Sequence, residues 1–189
     1  MRHEEENTYA ANTLAILKER KSCRNYTGAQ IEEKQLEAIL QAGNGAPVGM
    51  NRVNDIRILV IQNSYILNEL EQITQKFYVK MGMKRSGIYG APTLIIVTVK
   101  KSEGAFQKGQ YCSAACILEN MVIAATEMRL GNVFLTGFAT ALNEEVALLV
   151  KLGIKEDYEV VGGIAIGDTE EEGIERELSN LRILVERRV

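Results

Sequence analysis

The sequence predicts one domain of mixed helices and strands that do not alternate as regular strand-helix crossovers. Three observations predict it. The chain has 189 residues, 46% hydrophobic and 25% charged, the size and balance of one globular domain with a real core. Short β-branched runs stand beside helical patterns in no regular crossover order. One long segment, "SAACILENMVIAATEMRLG", is apolar around nearly its whole circumference.

The elements follow in order. Leu14, Ile16 and Leu17 predict a first helix over 9–20, and Ile31, Leu36, Ile39 and Leu40 a second over 31–42 closed by Gly43. "IRILVIQ" (56–62) reads as a strand, followed by a helix with Ser64 as N-cap that runs to about Lys80. "APTLIIVTVK" is a second buried strand, with Pro92 tolerated at its start. The all-round apolar helix over 113–131 must be covered on every side, and its small-residue face with Ala114 and Ala125 points to a second subunit; a helix buried within one subunit is the alternative. "NVFLTGF" (132–138) reads as a strand, "NEEVALLVKLG" as a helix capped by Asn143, and "YEVVGGIAIGD" (158–168) as the last core strand. The closing "RILVERRV" has strand character and no nearby partner, which suggests that it extends a neighbouring subunit's sheet.

Composition narrows the chemistry. A net charge of −3 provides no positive field for nucleic acid or an anionic membrane, so neither is expected as a partner. The longest apolar runs fall far short of the roughly 20 residues that span a bilayer, and the polar start is unlike a signal peptide, so a cytoplasmic protein is expected. Three cysteines, Cys23, Cys112 and Cys116, read as free thiols. Cys112 and Cys116 share a helix face, but the single histidine is His3 in the polar leader, so they read as packing residues and no metal is expected. No GxGxxG opens a helix after a strand, which argues against a Rossmann nicotinamide site.

The stretch "ERKSCRNY" (19–26) concentrates cations in an acidic chain. Helix-dipole stabilisation accounts for Lys18, Arg20 and Lys21 at the end of the first helix, at about 0.3 to 1 kcal/mol each. The other reading is a phosphate grip by Arg20, Lys21, Ser22 and Arg24, with forked guanidinium donors and a hydroxyl; geometry alone does not choose between them.

The run Arg20, Lys21, Ser22, Cys23, Arg24, Asn25, Tyr26 resembles the N-terminal signature of the FMN-dependent nitroreductase family. Three further stretches resemble that family in the same order: "GNGAPVGMNR", "GAPTLIIV" and "YCSAACILENMVIAATEMRLGNVFL". The likeness covers about residues 10 to 185. It implies an α+β fold of three layers, α/β/α, with a central mixed, mainly antiparallel sheet, the long helix at a homodimer interface and a C-terminal extension reaching the partner. It also implies FMN as cofactor, with NADH or NADPH as electron donor. By resemblance, Arg20, Lys21, Ser22 and Arg24 hold the FMN phosphate, and Pro47, Val48, Gly49 and Asn51 approach the flavin from the partner chain. Thr136 and Gly137 face its pyrimidine and N5 region, and Arg176, with Arg182 as rival, approaches the phosphate.

The sequence departs from the pattern in places. Val48 stands where the family carries serine, "RVN" replaces a Gln-Pro-Trp-like triplet, Tyr111 stands where relatives often carry Asp, and Lys84 or Arg85 is the nearest candidate for a further flavin contact. Tyr26 and Phe138 read as packing residues. With no Ser/His/Asp set and no useful histidine, no catalytic side chain is expected, since the flavin carries the chemistry. The implied function is electron transfer from NAD(P)H to a small planar acceptor, a nitroaromatic or a quinone, by a ping-pong mechanism. Two rivals remain: the same fold with another flavin reaction, reductive dehalogenation or ring dehydrogenation, and a flavin-binding dimer without turnover.

Overall fold

The computed structural model describes residues 13–171, 176–178 and 183–188. Helix α1 occupies residues 13–19 of the described chain. It is followed by α2 (Glu33–Asn44), β1 (Ile56–Ile61), α3 (Ser64–Lys80), β2 (Thr93–Lys100) and α4 (Gly104–Glu127). Then come β3 (Gly131–Leu135), α5 (Gly137–Asn143), α6 (Val146–Lys151) and β4 (Tyr158–Gly167).

The four strands form one sheet in the order β1-β2-β4-β3. Each pairing is antiparallel, so the described sheet contains no parallel pair of the kind a mixed sheet would have. Both faces of β2 are buried, and alternate residues serve two cores. Leu94 and Ile96 join α3, α5 and α6 through Leu67, Leu70, Phe138, Leu142 and Leu148. Ile95, Val97 and Val99 join α2 and α4 through Leu36, Ile39, Ala114, Leu118 and Met121. The result is the α/β/α sandwich expected of an α+β fold with three layers.

Several expected boundaries move, each for a local reason. Asn63, rather than Ser64, caps α3: its side-chain oxygen accepts from the Tyr65 N–H at 3.1 Å and the Ile66 N–H at 3.2 Å. Helix α4 starts at Gly104, nine residues before the predicted start at Ser113. Strand β3 stops at Leu135 because Gly137 opens a short helix. The helix expected over 143–153 is α6, which begins only at Val146, and Asn143 ends α5 instead of capping α6. Its side chain serves β4 instead, where Nδ2 donates to the Val160 carbonyl at 2.8 Å and Oδ1 accepts from the Val160 N–H at 2.9 Å. Beside it the β2–β4 register slips, with Val97 opposite Gly162 and Thr98 opposite Val160. The amide thus pairs with the peptide groups next to the bulge.

The long helix also presents a different face from the one expected. Ala114 and Ala125 are fully buried within the chain, while Cys112, Ala115, Cys116 and Glu119 are exposed and Ile123 is half-buried. Cys112 and Cys116 are free thiols exposed on one protomer. Of the expected tail strand (182–189), residues 183–188 carry no strand, and residues 182 and 189 lie outside the described residues.

Candidate functional site

The basic segment leaves α1 as an extended arm clamped along the ends of β3 and β4. The Cys23 N–H donates to the Asn132 carbonyl at 2.8 Å, and the Thr27 N–H to the Asp168 carbonyl at 3.0 Å. The arm's alternate residues then part company. Lys21 and Cys23 line a cavity of about 450 Å³ with Thr126, Arg129 and Asn132. Lys21 pairs there with Glu171 at 3.3 Å, and the Cys23 thiol lies 3.4 Å from the Thr169 hydroxyl. Burial raises the Glu171 carboxyl, but the Arg24 N–H and Lys21 outweigh it and hold that carboxyl below its ordinary value.

Arg20, Ser22 and Arg24 occupy the other alternate positions. Arg24 donates from its guanidinium to the Ser22 carbonyl at 3.3 Å, and its charge stands over the Tyr89 ring, 5.6 Å from the centroid. The quartet is thus split, with Lys21 facing Glu171 and Arg24 facing Tyr89. Arg176 lies at the same end of the molecule: its guanidinium donates to the Leu17 carbonyl at 2.9 Å and its N–H to the Lys18 carbonyl at 3.0 Å. It therefore answers the carbonyl end of α1. Arg182 lies outside the described residues.

A series of neighbouring groups leads from Arg24 to the 136–137 turn. Tyr78, near the end of α3, has its phenol raised by burial and then by Tyr89, with Arg85 acting in the opposite sense. The Tyr78 hydroxyl packs on Gly137 so closely that a Cβ built there would lie 1.9 Å from it. A side chain there would have to push the Tyr78 ring aside. Thr136 is exposed beside it. Arg24, Tyr89, Tyr78, Arg85, Thr136 and Gly137 accordingly gather at one side of the molecule. Tyr26 and Phe138 are structural neighbours of this patch. The Tyr26 hydroxyl donates to the Ala165 carbonyl at 3.1 Å, and burial drives its phenol far above the ordinary value; Phe138 is wholly buried.

The second predicted group lies elsewhere. Pro47, Gly49 and Asn51 are exposed on a loop over the N-terminal half of α4, where the Gly49 N–H donates to the Ser113 hydroxyl at 3.0 Å. Val48 is half-buried against the α2–α4 core, which gives an apolar side chain a reason to stand there. Met50 and Asn51 both hold positive φ, 55° and 54°. From Ser113 to Thr126, the α4 residue beside Lys21, is roughly 20 Å along the helix at 1.5 Å per residue. One protomer therefore does not bring the loop to the basic arm.

Residues unmarked by any motif also shape the site. Glu71, Ser86 and Tyr89 hold the loop between α3 and β2; the only sequence cue is the cluster of small residues and tyrosine in "SGIYGAP". Among the described residues no group of three metal-ligating side chains occurs, and no helix is long and apolar enough to cross a membrane.

With this geometry in place, comparison with known proteins is decisive, because the nitroreductase family matches residues 17–168, most of the chain. The chain belongs to the nitroreductase family. A nitroreductase with bound FMN from Bacteroides fragilis is 28% identical, with a TM-score of 0.77, over 93% of this chain and 98% of that one. A nitroreductase with bound FMN from Desulfitobacterium hafniense, 21% identical with a TM-score of 0.80, covers 93% and 98% and shows the shared fold. A nitroreductase family protein from Clostridium difficile is 25% identical, with a TM-score of 0.66, over 85% of this chain and 86% of that one. A search of curated proteins found no match. Nitroreductase membership agrees with the α+β fold described above.

Proposed function

We propose that this nitroreductase binds FMN at the seam of a homodimer and passes electrons from NADH or NADPH to a small planar acceptor, a nitroaromatic or a quinone. The observation that carries the reading is the gathering of Arg24, Tyr89, Tyr78 and the Gly137 turn at one patch. The residues fit the group. Arg20, Ser22 and Arg24, at alternate positions of an extended arm, present two guanidiniums and a hydroxyl suited to a phosphate. Gly137 leaves backbone bare beside an aromatic wall, as a flat ring requires.

Bound FMN would supply hydride acceptance from a reduced nicotinamide and electron delivery to the acceptor. The chain's own roles are binding, orientation and shielding. Arg20, Ser22 and Arg24 would hold the phosphate, the peptide groups of Thr136 and Gly137 would offer hydrogen bonds to the ring edge, and Tyr78 would close the wall behind them. One slot serving donor and acceptor in turn gives ping-pong kinetics.

The second subunit is called for by distance. The loop with Pro47, Val48, Gly49 and Asn51 lies roughly 20 Å along α4 from the arm, and the intervening helix keeps an uncovered face with Ala115 and Cys116. A two-fold copy packed antiparallel on that face carries its loop to the arm of the first chain.

The test begins with the purified protein. It should be yellow, bleach with NADH or NADPH under anaerobic conditions, and regain colour on addition of a quinone or nitro compound. A colourless protein that takes up no added FMN overturns the reading. Colour without bleaching identifies a flavin-binding dimer without turnover, a reading favoured by Val48, whose side chain serves the core instead of offering a hydroxyl.

A further inference from the structure

Between α3 and β2 the chain makes an irregular loop that carries Arg85 and Tyr89, and Tyr89 sits at φ 60°. A tyrosine held in the left-handed region stores strain on the order of 1 kcal/mol or more, so something must fix it. The fixing group is a half-buried carboxylate. Glu71 Oε1 accepts from the Ser86 hydroxyl at 2.6 Å, from the Gly87 N–H at 2.9 Å and from Gln75 Nε2 at 2.7 Å. Its Oε2 accepts from the Ile88 N–H at 2.7 Å. The Ser86 hydroxyl passes the constraint on, accepting from the Tyr89 N–H at 2.8 Å. The Tyr89 ring then lies beneath the Arg24 guanidinium, 5.6 Å from its centroid.

Resting on the flavin-binding reading above, we infer that Glu71 is a positioning residue for FMN: through Ser86 it fixes Tyr89, and through Tyr89 the guanidinium of Arg24. It accepts hydrogen bonds from Gln75, Ser86, Gly87 and Ile88, not from Arg24, Tyr89 or Tyr78. Its hydrogen bonds are charge-assisted and close together, the geometry that best holds a loop in one shape. They also outweigh the cost of its burial and keep the carboxyl below its ordinary value, which means that the loop is organised around the charged form.

A double-mutant cycle on the whole dimer tests the relay. FMN dissociation constants are measured by quenching of flavin fluorescence for the wild type, Glu71→Gln, Arg24→Ala and the double variant, with circular dichroism as a check on the fold. Glutamine keeps the size but must turn an N–H toward another donor. Glu71→Gln should weaken FMN binding about tenfold in the wild-type background, the equivalent of one such hydrogen-bonded charge. In the Arg24→Ala background it should weaken binding less than about twofold, because the group it positions is gone. An equal loss in both backgrounds identifies a merely structural role and overturns the inference, as does unchanged affinity in Glu71→Gln. If Glu71→Gln does not fold, Ser86→Ala replaces it in the cycle, since it cuts the relay while leaving Glu71 its Gly87 and Ile88 partners; the same two results then decide. A folded wild type that binds no FMN overturns the flavin reading and this inference with it.

Discussion

Glu71 also makes a prediction about stability. Burial raises its carboxyl, but hydrogen bonds from Ser86, Ile88, Gly87 and Gln75 prevail, and its folded pKa lies below the ordinary 4.5. A depressed folded pKa adds stability that is fully present above the unfolded pKa and is lost as pH falls through the folded one. Urea midpoints of wild type and Glu71→Gln should therefore differ most above pH 4.5 and converge as the solution is acidified below it. A constant gap across that range would show that the carboxylate's charge contributes nothing. At this scale the arginine signature is readable from sequence, because its spacing is local. Glu71 is not readable: its partners in the loop lie 15 to 17 positions away, and a lone glutamate on an amphipathic helix looks like any solvated one. The two fates of Lys21 and Arg24 were hidden too, since only the tertiary course of the arm decides which side chain faces Glu171 and which faces Tyr89.

Among the elements, β2 was legible because a β-branched run buried on both faces has few other readings. Ends were not. A helix boundary is set by which side chain reaches the free N–H groups, and Asn63 and Ser64 compete for that role with similar chemistry. The structure gives it to Asn63, whose oxygen meets two N–H groups. Asn63→Ala should therefore cost about 1 kcal/mol, read as a lower urea midpoint, while Ser64→Ala leaves it nearly unchanged; the reverse order would restore Ser64 as the cap. The turn after β3 was misread as more strand for a related reason. "LTGF" carries β-branched and aromatic residues, and the neighbour at its turn, the Tyr78 hydroxyl beside Gly137, comes from a helix far away in sequence.

For the whole molecule, the three-layer sandwich accounts for most of α4 within one chain. Among the described residues, an exposed strip of α4 carries Cys112, Ala115, Cys116 and Glu119. The sequence pattern announced that the helix must be covered all round, but it could not say which face met the sheet, because small and apolar residues occur on every side. Placing a large charge on the strip separates folding from assembly. Ala115→Arg should sediment as a monomer with native circular dichroism and should lose FMN, since the partner's loop is then absent. A monomer that keeps FMN at wild-type affinity would show that one chain suffices.

The roughly 20 Å between the glycine loop and the arginine arm, at 1.5 Å per residue along α4, has a genetic corollary. Each two-fold assembly would hold two pockets, and every pocket would draw its arm from one copy and its loop from the other. A chain crippled in the arm, mixed with one crippled in the loop, would then assemble hybrids in which both lesions fall in the same pocket and the second pocket is whole. Two inactive alleles would complement each other.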